Sequence, residues 1–190
     1  VGAYRLGLTD DILTHRGRRG LYTYQLFEMK KKLFQQMGPA IEMGRSFVRA
    51  EYQRTFTPLL LLWRGIATFV AQNPRYKVLF GPLSISNDYN PVSRQLIIDY
   101  LRSVLLDRNL AQWVKPRYKP TRRHSLWQVS DLKMLGDLEH ISSLIASVES
   151  DGKGIPVLLR QYLKLGGRIL GFNLDPDFNN AIDAMIMVDL

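Results

Sequence analysis

The segment from Ala40 to Val70 constrains this chain more than any other. Ile41 to Val48 reads as a strand that carries two charged residues, Glu42 and Arg45. Arg49 to Thr57 reads as a polar turn, and Pro58 to Val70 as a strongly apolar helix. Thr57 suits the N-cap, and Pro58 suits the first helical position, where its missing N–H costs nothing. A strand that turns directly into a helix gathers free backbone N–H groups and the positive end of the helix dipole at one point. Such a point is an anion site, and the phosphate of a nucleotide or of pantetheine is its usual guest.

A chain of 190 residues with 46% hydrophobic content suits one domain over 1–190 with a sizeable core. No apolar run approaches the ~18 residues of a membrane span, since the longest block is Leu59 to Trp63. Without cysteine there is no disulfide, thiolate metal site or Cys nucleophile. That fits a reducing compartment, and a cytoplasmic protein is expected. The sequence opens at Val1 already in a strand-like pattern, so an N-terminal part is expected to be missing.

The net charge of +9 calls for an anionic partner. The charge is clustered at Arg16, Arg18 and Arg19, at Lys30 to Lys32, and at Lys115, Arg117, Lys119, Arg122 and Arg123. Part of it is ordinary solvated surface. The third cluster interleaves with Trp113, Tyr118 and Trp127 in a surface excursion or lid over 109–129. No RNA-binding motif accompanies it, and nucleic acid is not the expected partner.

In chain order, strands are predicted over 1–8, 41–48, 76–85, 168–174 and 181–188. Helical stretches are predicted at 10–19 (a short turn or helical piece), 24–37, 58–70, 92–106, 137–150 and 156–165. Gly81-Pro82 interrupts the 76–85 strand, and a proline there implies an edge or a bulge where the sheet splays. Strands alternate with helices, so the fold class is α/β or α+β.

A charge in a core strand is costly unless paired or functional. Glu42 is thus either half of a structural ion pair or a general base, and Arg45 a donor-site contact. Strict alternation puts the two on opposite faces. Ser84, followed by Ser86, Asp88 and Tyr89, offers a general acid or an oxyanion contact, against the plainer reading of an ordinary turn. His15, His124 and His140 form no metal-ligand spacing. Asp151-Gly152-Lys153-Gly154 lacks the glycine spacing of a P-loop and reads as a turn.

Together, Glu42-Met43-Gly44-Arg45-Ser46-Phe47-Val48, the Tyr52–Thr57 turn and Leu62-Trp63-Arg64-Gly65-Ile66-Ala67 resemble the hemolysin-like N-acyltransferases of the GNAT superfamily, which include ornithine- and glycine-lipid acyltransferases. Gly154-Ile155-Pro156-Val157-Leu158-Leu159-Arg160-Gln161-Tyr162-Leu163-Lys164-Leu165-Gly166-Gly167 and Gly171-Phe172-Asn173-Leu174-Asp175-Pro176-Asp177-Phe178 resemble the same family, as does Val1-Gly2-Ala3-Tyr4-Arg5-Leu6. The resemblance implies a GNAT-like mixed, mostly antiparallel sheet flanked by helices and parted between two central strands. It implies that Phe47 and Val48 line a pantetheine arm, and that Gln53, Arg54, Thr55, Phe56 and Thr57 hold its phosphate. It supports Glu42 and Arg45 as catalytic-site residues, and Ser84 joins them on the residue reading given above.

The loop 53–57 lacks the glycines that wrap the acetyl-CoA pyrophosphate. That favours acyl carrier protein over acyl-CoA as donor, with the basic clusters docking the carrier or touching an anionic inner membrane. No metal is implied. The expected function is transfer of a fatty acyl group, 3-hydroxyacyl included, to the amine of an amino acid in aminolipid synthesis. The alternatives are an acetyltransferase using acetyl-CoA on a small amine, or a non-catalytic membrane- or carrier-binding domain.

Overall fold

The computed structural model describes residues 1–53, 55, 57–121 and 138–190. In chain order its elements are β1 (Gly2–Leu8), α1 (Thr9–Arg16), β2 (Phe27–Met29), α2 (Lys31–Met37), β3 (Ala40–Val48), α3 (Thr57–Gln72), β4 (Val78–Ile85), α4 (Pro91–Val104), α5 (Arg108–Ala111), β5 (Val114–Pro116), α6 (Leu138–Val148), α7 (Val157–Lys164), β6 (Arg168–Asp175) and β7 (Ala181–Asp189). Among the described residues, five strands form one sheet in the order β1-β3-β4-β7-β6, and β2 and β5 form a separate two-stranded ribbon. Every pairing is antiparallel except β3 with β4. The mixed, mostly antiparallel sheet flanked by helices expected from the sequence is therefore present.

Alternation along the strands sends side chains to two separate cores. On one face Ile41, Met43, Leu79, Leu83, Ala184 and Ile186 meet α3, α4, α6 and α7. On the other, Ala40, Val78, Phe80, Met185 and Met187 meet the ribbon, α2 and Leu21. Burial of these side chains removes apolar surface at roughly 25 cal/mol per Å², which holds the helices on the sheet. Helix α4 starts where Asn90 accepts a hydrogen bond from Val92 N at 2.9 Å with Pro91 in its first turn. It buries Leu96, Ile97, Tyr100 and Leu101, while Val104 at its end is 41% exposed.

One expected helix is present only in its second half. The stretch 24–37 divides into a 3₁₀ turn (Thr23–Gln25), β2 and the short α2. Phe27 and Met29 alternate about the exposed Glu28 and pair with Pro116 and Val114. The cross-strand partner lies more than 80 residues downstream, and its pairing overrides a local period that fits a helix. Of the expected surface excursion 109–129, the described part holds α5 and β5. Its residues 122–129, with Arg122, Arg123, His124 and Trp127, lie outside the described residues.

Candidate active site

Strands β3 and β4 pair over three residues only, Ala40–Glu42 against Val78–Phe80. Beyond these, β1 stays paired with β3 as far as Val48, and β7 stays paired with β4 as far as Ile85. Each central strand is thus held by its outer neighbour while the two diverge. At the fork a Cβ on Gly81 would lie 2.0 Å from the carbonyl oxygen of Met43, so only glycine fits. Past the fork β4 is locally an edge strand, which is where Pro82 is tolerated. The splay expected from Gly81-Pro82 is here.

The gap widens into a cleft of about 660 Å³. Leu83, Pro156 and Leu158 wall it from the helical side, and Tyr22, Leu26 and Ser84 from the ribbon side. The opening therefore passes between the two faces of the sheet.

Arg45 stands in this wall with φ of 49°. Between Ala3↔Phe47 and Arg5↔Gly44 the register advances two residues on β1 and three on β3, so β3 carries a bulge at Arg45 and Ser46. A left-handed non-glycine residue costs on the order of 1–3 kcal/mol, and a bulge re-aims its side chain. The result corrects the expectation that Glu42 and Arg45 face opposite ways. Both meet Tyr22: Arg45 stacks its guanidinium 4.9 Å from the ring centroid, and Glu42 Oε2 accepts from Tyr22 N at 3.0 Å.

Glu42 is 1% exposed. Its second oxygen accepts from Thr23 N at 2.7 Å. It forms no ion pair with a described residue, and it sits behind the cleft wall rather than in it. Two backbone N–H groups satisfy the buried carboxylate and fix the 22–23 turn against β3. Burial, with Asp183 next in weight, raises the Tyr22 phenol above its ordinary pKa.

Ser84 is exposed on the cleft wall, and its hydroxyl donates to Asp183 Oδ1 at 2.6 Å. Asp183 is 1% exposed, and its Oδ2 has no partner among the described residues. Ser84, Asp183 and Asn173 are register partners across β4, β7 and β6. Burial pushes the Asp183 carboxyl up to about 6, and the Asp175 charge adds to this against the opposing hydrogen bonds of Ser84 and Asn173. Sequence reasoning missed Asp183. The signal was present, for it is a lone charge in the apolar strand Ala181 to Val188, the same anomaly that singles out Glu42 in β3. Ser86 and Asp88 form the ordinary turn weighed against a catalytic role: Ser86 Oγ donates to Asp88, and Asp88 N donates back at 3.1 Å.

The turn after β3 leads straight to the N-terminus of α3, which starts at Thr57 itself. Phe47 is 59% exposed and Val48 is partly buried beside this turn. Gln53 donates its side-chain amide to Val48 O at 2.7 Å, and Thr55 its hydroxyl to Tyr52 O at 3.2 Å. Arg54 and Phe56 lie outside the described residues. Further along, α3 buries only Pro58 and Ile66 fully. Leu60, Trp63, Ala67 and Val70 face α7 across an apolar groove of about 610 Å³.

Three basic clusters, distant in sequence, converge on the ribbon. Arg18 donates to Met29 O at 2.7 Å, and Arg18 and Arg117 both stack on Tyr24. Lys30 and Lys32 lie over Trp113, 5.5 and 4.7 Å from its centroid. None of these cations is paired with a described carboxylate. Among the described residues there is no cluster of three metal-ligating side chains, and no helix is long and apolar enough to cross a membrane.

A mostly antiparallel sheet that opens between its one parallel pair is the architecture that the GNAT resemblance implied. Residues 1–63 match the family model described as the acetyltransferase (GNAT) domain. Over 99% of its length the chain is 27% identical to a protein named glycine N(alpha)-acyltransferase from Phocaeicola vulgatus, and 26% identical to one of the same name from Bacteroides thetaiotaomicron. It spans 60% and 58% of those two relatives. No solved structure matches significantly. The domain match covers the first third of the chain.

Proposed function

We propose that the chain is the transfer domain of a hemolysin-like N-acyltransferase. It moves a fatty acyl group, 3-hydroxyacyl included, from a phosphopantetheine thioester to the amine of an amino acid, and the named relatives favour glycine as that acceptor. The observation that carries the proposal is the fork at Gly81. Beyond it the unpaired edges of β3 and β4 face each other across a cleft, and the amides of a pantetheine arm can pair with such an edge as an added strand does.

The donor's phosphate sits at the N-terminus of α3, beside Gln53, Thr55 and Thr57, with Phe47 and Val48 along the arm. Arg45, pre-set by the bulge and Tyr22, binds the carboxylate of the amino acid. The amine then meets the thioester near Ser84. Glu42 fixes Tyr22, and through it Arg45. The basic ribbon docks an acidic carrier protein beside the cleft.

The test is acyl transfer by the full-length chain, with 3-hydroxyacyl carrier protein, long-chain acyl-CoA and acetyl-CoA as alternative donors and glycine as acceptor, and with products read by mass spectrometry. N-acylglycine from the carrier thioester is expected. Product from acetyl-CoA alone, or none from any donor, would sink the proposal. Because Glu42 lies behind the wall, Glu42→Gln is expected to raise the KM for glycine through a loosened Tyr22, with a smaller change in kcat.

A further inference from the structure

We infer that Ser84 and Asp183 form a proton relay serving the acceptor amine, with Ser84 as the catalytic hydroxyl in the cleft and Asp183 as the positioning carboxylate behind it. The inference rests on the transfer reading above and supplies the base that Glu42, turned away from the cleft, is poorly placed to be.

Four observations carry it. The Ser84 hydroxyl is exposed to the cleft, yet its proton is already directed at Asp183 Oδ1, 2.6 Å away. Asp183 is 1% exposed and does not itself line the cleft, whereas the Ser84 hydroxyl bonded to it does. Its other oxygen, Oδ2, is buried without a hydrogen-bond partner among the described residues. The pair is fixed by strand register, since Ser84 and Asp183 face each other across β4 and β7, and Asn173 of β6 closes the row. Asn173 is itself immobilised, accepting from Tyr118 N at 2.8 Å and donating to Leu174 O at 2.9 Å. Opposite stands Arg45, which takes the acceptor's carboxylate in the reading above.

An amino acid arrives largely as its ammonium at neutral pH and cannot attack in that form. In the relay one ammonium proton passes to Ser84 Oγ as the Ser84 proton passes to Asp183 Oδ1. The neutral amine then attacks the thioester carbonyl carbon, and a C–N bond forms. On collapse the C–S bond breaks, and the departing sulfur takes the second proton from nitrogen. Asp183 returns its proton to solvent through Ser84. Charge is conserved, because one ammonium and one carboxylate become neutral.

The experiment measures transfer to glycine against pH for the wild type, Ser84→Ala, Asp183→Asn and Asp183→Glu, with thermal melts as a control for folding. General-base catalysis contributes roughly 10²–10⁴-fold. For Asp183→Asn, kcat is expected to fall by at least about 100-fold with the donor KM changed less than about 3-fold. The acid limb of the pH profile should disappear with it. Ser84→Ala should fall as far, the double variant no further, and Asp183→Glu should restore part of kcat with a displaced limb. An Asp183→Asn enzyme that keeps both kcat and its limb overturns the relay while leaving acyl transfer intact. If the wild type transfers nothing, the functional reading falls. The relay is then judged by carbon NMR titration of labelled Asp183, where a midpoint unmoved by Ser84→Ala overturns it.

Discussion

Among the cavities of the described residues, two of nearly equal size invite comparison, one of about 660 Å³ at the β3–β4 fork and one of about 610 Å³ between α3 and α7. Their chemistry is opposite. The fork holds Arg45 in a strained backbone, an exposed hydroxyl on a buried carboxylate, and tyrosines held by hydrogen bonds or stacking. The groove is lined mostly by apolar side chains that α3 leaves partly open, Leu60 at 53% exposed among them, with Arg64, Gln161 and Lys164 as its polar members. Both volumes fall in the ~300–1,000 Å³ range of small-molecule sites. What separates them is backbone cost and charge: a bulge, a left-handed residue and a buried carboxylate all border the fork. Such costs persist only where the surrounding structure enforces them, which makes the fork the place to look for chemistry.

The sharpest way to break this contrast is Gly81→Ala. Its Cβ would meet the Met43 carbonyl at the point where the strands part, so a loss of about 3 kcal/mol or more is expected in chemical denaturation. A variant of unchanged stability would mean that the fork is not held closed there. On the groove side, Trp63→Ala removes the edge-on contact with Tyr162, whose ring centroid is 5.1 Å away. About 3 kcal/mol of stability should go, while the glycine KM stays put. A shifted glycine KM would mean that the two cavities communicate.

The next prediction is a pH dependence. Asp183 is raised from 3.8 to about 6 in the fold. Between those values the native state binds more protons than the unfolded chain, so stability falls as pH rises from about 4 to about 6 and is flat above. Asp183→Asn should therefore be the more stable protein at pH 7.5, by about 2–3 kcal/mol at most, with its advantage closing as pH approaches 4. Melting curves that differ equally at both pH values would refute the shift. Smaller still, Arg45→Gly should relieve the left-handed strain and gain about 1 kcal/mol while losing affinity for glycine. Stability and activity moving down together would remove the bulge as a functional device. Smallest of all is Leu61→Ser on the exposed flank of α3, where a change within about 0.5 kcal/mol is expected.

The strand–turn–helix from Ala40 to Gln72 was legible because every local signal agreed there: alternation, then a polar turn, then proline opening an apolar helix. Gly81-Pro82 gave away the fork, since two residues poor at central-strand pairing stood inside an apolar strand. The ribbon was not legible. Phe27–Met29 is three residues long, and its pairing with Val114–Pro116 has no local signature. The common face of Glu42 and Arg45 was also hidden. A bulge shifts alternation by one residue, and nothing in Gly44-Arg45-Ser46 announces which residue takes the positive φ. Asp183 was readable as an anomaly but not as a partner of Ser84, because 99 residues separate them.

Composition and periodicity determined that strands alternate with helices, that one strand turns directly into a helix start, and that the sheet splays at Gly81-Pro82, because short-range sterics and hydrophobic alternation act within a few residues; the mixed sheet was implied by the family resemblance. Tertiary structure decided which charges meet. It turned Glu42 inward onto Tyr22 and Thr23, swung Arg45 over the same tyrosine, and set Ser84 against Asp183. Strand register and one bulge fix those meetings, and both are settled only when segments distant in sequence bury their apolar faces together.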